Sequence, residues 1–288
     1  QEQVSFGKFK ALLGLRQEYY RIPKEDTNIK KFNKEDLQSY LLPRVGLIYS
    51  VLPNINIYGN YSEGYEPQGA TSNLNPNAGG PFDPLIGKLM EVGAKGEFFG
   101  RGLFAGLSVY EITQNNILVS ANNPAQPELL EQRGQERARG VEFETAGQLL
   151  PNLSVNVTYA YNDAQITESN NELLIGLEKE NAPLHNSSSW VKYTFNKGKL
   201  AGLGVAIGHS QNSVRRTFAT YPNEPTRYLM LPTYVVFNSA IFHSVDKFRL
   251  AININNLTDE KWFAGGYNFE RNFPGAPRNY LLSFGYTF

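Results

Sequence analysis

Apolar and polar side chains alternate at every second residue over long segments of this chain, and little else constrains its fold so strongly. Leu153, Val155, Val157, Tyr159 and Tyr161 share one phase, while Ser154, Asn156, Thr158, Ala160 and Asn162 share the other. The same rhythm returns at Ile55, Ile57 and Tyr61 against Asn54, Asn56, Asn60 and Ser62, and again at Leu103, Ala105, Leu107 and Val109 against Gly106 and Ser108. Phe248 to Ile254 and Tyr280 to Phe288 repeat it near the end. A period of two is the signature of a strand with two different faces. The connections alternate as well. Short ones, rich in turn formers, read FGK (6–8), VLPN (51–54), FGRG (99–102), LLPN (149–152), NKGK (196–199) and SVDK (244–247). Long polar stretches lie between them, around 20–36, 66–84, 121–131, 168–183, 216–229 and 260–276. The phrases VLPNINIYGNYSEGYEP and LLPNLSVNVTYAYNDAQ are therefore equivalent hairpins turning at one end of a long meander. About twelve strands follow the first turn.

Strands of a soluble sandwich run to about 5–6 residues, and both its ends carry loops of mixed length. Here most strands reach the roughly 9–11 residues that cross a bilayer at a tilt. All the short turns fall at one end, as in outer-membrane barrels with tight periplasmic turns and long extracellular loops. Hydrocarbon offers no partner to a free backbone group, so such a sheet closes on itself. The apolar phase then faces lipid and the Asn, Ser, Thr and Gly phase faces a wet lumen. Tyr159, Tyr161, Tyr280 and Tyr286 suit the aromatic girdles at the two interfaces. The expected fold is all-β: an antiparallel, up-and-down transmembrane β-barrel segment.

Composition narrows the function classes. Lys+Arg 27 balance Asp+Glu 27, which gives no reason to expect a nucleic-acid partner. No cysteine is present, and the three histidines, His185, His209 and His243, are isolated, so no metal site is expected. A mean hydropathy of −0.39 looks soluble, but alternating walls escape hydropathy windows. No signal peptide opens the sequence, which fits a mature chain or a fragment. GLGVAIG (202–208) has the wrong spacing for a nucleotide loop and reads as small lumen-facing residues. Glu142 and Glu144 share a strand face without a nucleophile, so neither enzyme activity, catalytic residues nor a cofactor is expected.

Four stretches, in order, resemble the C-terminal half of a TonB-dependent siderophore receptor barrel. They are LMEVGAKGEFF (89–99) with GLFAGLSVYEITQNNILV (102–119), RARGVEFETAG (137–147), LAININNLTDEKWF (250–263) and GAPRNYLLSFGYTF (275–288). The resemblance covers nearly the whole chain. It implies a 22-stranded barrel around an N-terminal plug, and about twelve strands match the last half of one. Residues 1–288 are accordingly expected to be the C-terminal barrel part, with the plug domain and the energy-coupling box absent from this sequence. The partners it implies are a ferric siderophore or similar metal chelate, TonB acting through the plug, outer-membrane lipid, and the barrel-assembly machinery through the strand ending at Phe288.

Inward-phase residues on rising strands, Tyr58, Asn60, Tyr110 and Gln114, are candidates for ligand contact. So are Arg215 and Arg216, which open the 216–229 loop with Phe218, Tyr221 and Tyr228, and Trp262, Tyr267 and Arg271 in the last loop beside Phe269. Aromatic rings with a few Arg donors suit bulky anionic chelates. Arg44, Glu142, Glu144 and Arg249 are expected near the periplasmic end, facing inward toward a plug. Two other functions share the barrel physics: a passive porin-type channel, and a barrel subunit or docking surface in a larger assembly.

Overall fold

The computed structural model describes residues 2–22, 25–26, 31–32, 36–68, 75, 77–121, 123–221 and 224–288. The long stretches around 20–36 and 66–84 lie partly outside the described residues. One 13-stranded antiparallel sheet forms the wall. It begins with β1 (Glu2–Phe6) and β2 (Phe9–Ile22). After a small ribbon of β3 (Glu25–Asp26) and β4 (Lys31–Phe32) come β5 (Asp36–Leu52), β6 (Ile55–Glu66), β7 (Leu85–Phe98), β8 (Leu103–Ser120), β9 (Leu130–Leu150) and β10 (Leu153–Glu168). The wall continues with β11 (His185–Thr194) and β12 (Leu203–Asn212), then leaves for a ribbon of β13 (Arg215–Tyr221) and β14 (Glu224–Leu231). It resumes with β15 (Tyr234–Val245) and β16 (Phe248–Asn255), leaves for β17 (Phe263–Gly266) and β18 (Asn272–Pro274), and ends at β19 (Asn279–Tyr286). Every wall strand pairs with its neighbour in the meander, and twelve of them follow the turn at Gly7, as the alternation requires. Among the described residues, β1 and β19 are not joined to each other.

The two faces sort by side chain. Val205 and Ile207 of β12 stand opposite Ile241 and Ser239 of β15 on the exposed apolar face, while Gly204, Ala206 and Gly208 are buried on the other. Tyr280 and Tyr286 mark the two ends of that apolar face on β19, and Tyr159 and Tyr161 share it on β10. Exposed Leu, Val, Ile and Phe run along the same face of most wall strands, a surface no water-soluble monomer leaves open. Lipid covers it.

Inward aromatic rings lie flat along the wall rather than across the bore, because the strand alongside offers a glycine. A Cβ on Gly93 would meet the Tyr58 ring at 2.7 Å, and one on Gly140 would meet the Tyr110 hydroxyl at 2.9 Å. Glycine costs strand stability by itself, but here it is the space into which the ring packs. Trp190 over Gly208 and Phe242 over Gly204 repeat the arrangement.

The long connections are more ordered than their polar composition implies. The stretch expected as a loop at 216–229 is largely the β13–β14 ribbon, and 260–276 contains the β17–β18 ribbon. Their sequences mix Arg, Thr, Tyr and Phe without clean alternation, since each packs on other loops instead of separating lipid from water. The NKGK connection, in turn, is longer than a tight turn and holds a short 3-10 segment, Gly198–Leu200.

Candidate functional site

Three outer connections are knitted into one platform above the sheet. Asn181, in the β10–β11 connection, adopts a left-handed backbone, which Asn tolerates better than most residues. From there its side chain behaves like a strand edge: Nδ2 donates to the Gly266 carbonyl at 3.0 Å and Oδ1 accepts from the Gly266 N–H at 2.9 Å. Its own backbone N–H donates to the Arg216 carbonyl at 2.9 Å. The Ala219 N–H donates to the Tyr267 carbonyl at 2.7 Å, which joins the two ribbons directly. Thr217 and Leu231 fill the space between them, 0% and 1% exposed.

Stacked rings cover this small core. Phe218 and Tyr267 lie 5.2 Å apart at 19°, and Tyr221 and Phe269 lie 5.1 Å apart at 16°. Each pair is capped by an arginine: Arg271 at 6.0 Å from the Tyr267 centroid and Arg227 at 4.4 Å from that of Tyr221. Beside the first stack is a cavity of about 520 Å³ lined by Glu180, Asn181, Phe218, Tyr267, Arg271 and Phe273. Phe218 and Phe273 are more than half exposed, so apolar ring faces and a guanidinium are open to a ligand from outside. The arrangement can stack a planar group and neutralise an anion.

Arg215 and Arg216 were expected to contact ligand, but the fold uses them internally. Arg215 is 1% exposed, donates to the Phe263 carbonyl at 2.5 Å and sits 5.4 Å from the Tyr234 ring centroid. Arg216 donates to the Glu178 carbonyl, pairs with Glu180 at 3.5 Å and covers the Tyr228 ring at 4.5 Å. Trp262 likewise packs on Tyr234, centroids 4.6 Å apart, and anchors the root of the last loop. Of the loop candidates, the structure brings Tyr267 and Arg271 together at the open cavity. Phe218, named with the 216–229 loop, joins them there, and Phe273, which was not among the sequence candidates, lines the same cavity; their exposure only becomes visible once the ribbons are folded.

An ionic link ties the platform to the wall. Lys179 contacts Glu136 of β9, and Glu180 lies 3.1 Å away. Burial works against the ammonium, but the two carboxylates outweigh it and raise the Lys179 pKa above the usual lysine value. A raised folded-state pKa stabilises fully below the ordinary lysine value and is lost as pH climbs through the raised one. Protection of the loop amides, taken relative to their base-catalysed intrinsic exchange rate at each pH, should therefore fall only in strongly alkaline solution, and Lys179→Met should remove that step. Equal alkaline loosening in the variant would count against the link. Gln114 stands on the inward face of β8 opposite Glu136, and is the one strand candidate at this outer level.

The other strand candidates belong to the lumen wall. Tyr58 and Asn60 are inward, but they lie only three and five residues beyond the start of β6 at Ile55, not at the outer mouth. The Tyr58 hydroxyl donates to Glu91, and Lys95 lies 5.4 Å from the Tyr58 ring and 3.7 Å from Glu144. Tyr110 donates to Asn162 at 3.1 Å. Tyr58, Glu91, Lys95, Ser108, Glu142 and Glu144 surround a wall cavity of about 320 Å³. The strand stagger puts Tyr58 in one cross-strand row with Gly93, Ser108 and Glu142. Arg44 and Arg249 also face inward, yet of the four residues expected near the periplasmic end only Arg249 is there; Arg44, Glu142 and Glu144 lie well up the wall.

Known proteins share this architecture. The structure matches the siderophore receptor PiuA from Acinetobacter baumannii with a TM-score of 0.81 at 18% identity, covering 97% of this chain and 41% of that one. It matches the ferripyoverdine receptor of Pseudomonas aeruginosa with a TM-score of 0.80 at 21% identity, covering 97% and 36%. In sequence, the chain is 29% identical over 293 residues to the metal-pseudopaline receptor of Pseudomonas aeruginosa strain UCBPP-PA14, covering 98% of this chain and 39% of that protein. It is 28% identical over 250 residues to the ferrichrome outer membrane transporter/phage receptor of Escherichia coli strain K12, covering 85% and 32%. The chain thus spans about two-fifths or less of the length of these relatives, which are receptors and an outer membrane transporter. The family description "TonB dependent receptor-like, beta-barrel" matches residues 1–257, so the chain belongs to the β-barrel of the TonB-dependent receptors, integral proteins of the bacterial outer membrane.

Proposed function

We propose that this chain is the C-terminal barrel part of a receptor that imports a ferric siderophore, or a similar metal chelate, across the outer membrane. The observation that carries it is the outer platform, where stacked rings and Arg271 border an open cavity above a polar wall. The metal-pseudopaline and ferrichrome relatives add support. The open edges of β1 and β19 would be completed by further strands of a longer polypeptide, since a sheet in lipid leaves no edge unpaired. Its bore would hold a plug against Arg44, Glu142, Glu144 and Arg249, and TonB would act through that plug. The aromatic strand ending at Phe288 would be read by the barrel-assembly machinery. No catalytic step is assigned to the chain.

The test is binding of a panel of iron-loaded siderophores to cells carrying the intact receptor. Tyr267→Ala removes a stacked ring and the seat of Arg271, and should weaken binding of the recognised siderophore about tenfold, the equivalent of roughly 1.4 kcal/mol. Arg271→Ala should act in the same direction. Unchanged affinity in both variants sinks the platform as the site, and ligand-free conductance through planar bilayers would favour a passive channel.

A further inference from the structure

Two cations converge on one ring low in the lumen wall. Phe242 of β15 faces inward between Gly204 of β12 and Ala251 of β16. Lys192 Nζ lies 5.6 Å from its centroid, reaching from β11 across Ala206, and Arg249 Cζ lies 5.1 Å from it, reaching from β16. The ring fills the space over Gly204 and is itself only 8% exposed, with Ala206 and Ala240 buried beside it. Elsewhere on the wall the cation Lys95 has Glu144 at 3.7 Å. Among the described residues neither Lys192 nor Arg249 forms an ion pair. One ring face attracts a cation modestly, whereas two cations drawn to the same ring repel each other. An anion between them would turn that repulsion into a clamp.

We propose that Lys192, Arg249 and Phe242 dock a carboxylate side chain of the polypeptide segment that fills the bore of the intact receptor. This rests on the assignment of the chain to a longer, plugged receptor. Position favours a resident protein segment over passing cargo. Lys192 is two residues from the periplasmic end of β11 and Arg249 one residue from that of β16, at the opposite end of the wall from the outer platform. The relatives also carry most of their length outside the part matched here.

Thermal unfolding of the intact, detergent-solubilised receptor without ligand tests this by its sign. If a carboxylate is clamped, the double variant K192Q/R249Q melts lower by about 3 °C, while the charge-preserving K192R/R249K melts like the parent. If no anion is present, K192Q/R249Q relieves repulsion and melts at the same temperature or higher, which overturns the proposal. Destabilisation that appears only with an iron-loaded siderophore bound assigns the carboxylate to the cargo and also overturns it. Siderophore affinity at the outer platform should be unchanged in K192Q/R249Q. A receptor that binds no siderophore at all would sink the import function while leaving the melting comparison intact.

Discussion

Arginine at Val157 should sharply reduce the amount of assembled barrel in the outer membrane, while arginine at the adjacent Asn156 should be tolerated. The two positions have the same depth, the same strand and the same turn below them. Only the face differs. Val157 shares the apolar face with Tyr159 and pairs with Thr145 of β9 and Ser189 of β11. Asn156 shares the inward face, between Ala146 and Trp190. A cation on the lipid face near the bilayer midplane costs about 2–4 kcal/mol, and in a water-filled bore far less. Refolding into phospholipid vesicles under a urea gradient, with assembly scored by the heat-modified band, measures the difference directly. Equal tolerance at the two sites would reverse the face assignment and with it the lumen wall.

Valine at Gly140 should destabilise the barrel by about 3 kcal/mol, near the upper end for overpacking a filled site. Its first added carbon would strike the Tyr161 carbonyl oxygen across the β9–β10 ladder and come within 2.9 Å of the Tyr110 hydroxyl. Two outcomes separate these contacts. Tyr110→Ala in the Gly140→Val background frees the ring space and should restore part of the loss; the remainder belongs to the carbonyl contact, which no side-chain change relieves. Valine at Gly87, also inward but with nothing within 4 Å of the new carbon, should cost little. Urea midpoints of the three variants in vesicles decide the matter, and a Gly140→Val barrel as stable as the Gly87→Val one would refute close packing of the ring.

Alternation made the wall legible because lipid and water impose opposite demands on successive residues, and no distant contact is needed to enforce them. Val157 and Asn156 could be assigned to faces from their neighbours alone. Depth was harder. Tyr58 follows its turn closely and Glu142 stands far from its own, yet they occupy one cross-strand row, because each hairpin is staggered against the last. That stagger is a property of pairing between strands, invisible along any one of them.

The loops invert the relation between composition and role. Arg215, Arg216 and Trp262 looked like exposed ligand contacts because charge and large rings in a polar stretch usually face solvent. They are structural, because two ribbons and the Asn181 connection fold over them: Arg215 Nη2 and the Trp262 indole N–H donate to backbone carbonyls, and Arg216 has a backbone carbonyl and the Glu180 carboxylate. The sequence by itself determined the all-β meander, its two faces and its short-turn end, since those follow from local periodicity and turn chemistry. Only the tertiary structure decided which rings stay open at the outer cavity, which arginines are consumed in holding it, and which two cations meet over Phe242. Each of these depends on residues far apart in the chain converging in space, and such convergence leaves no periodic trace.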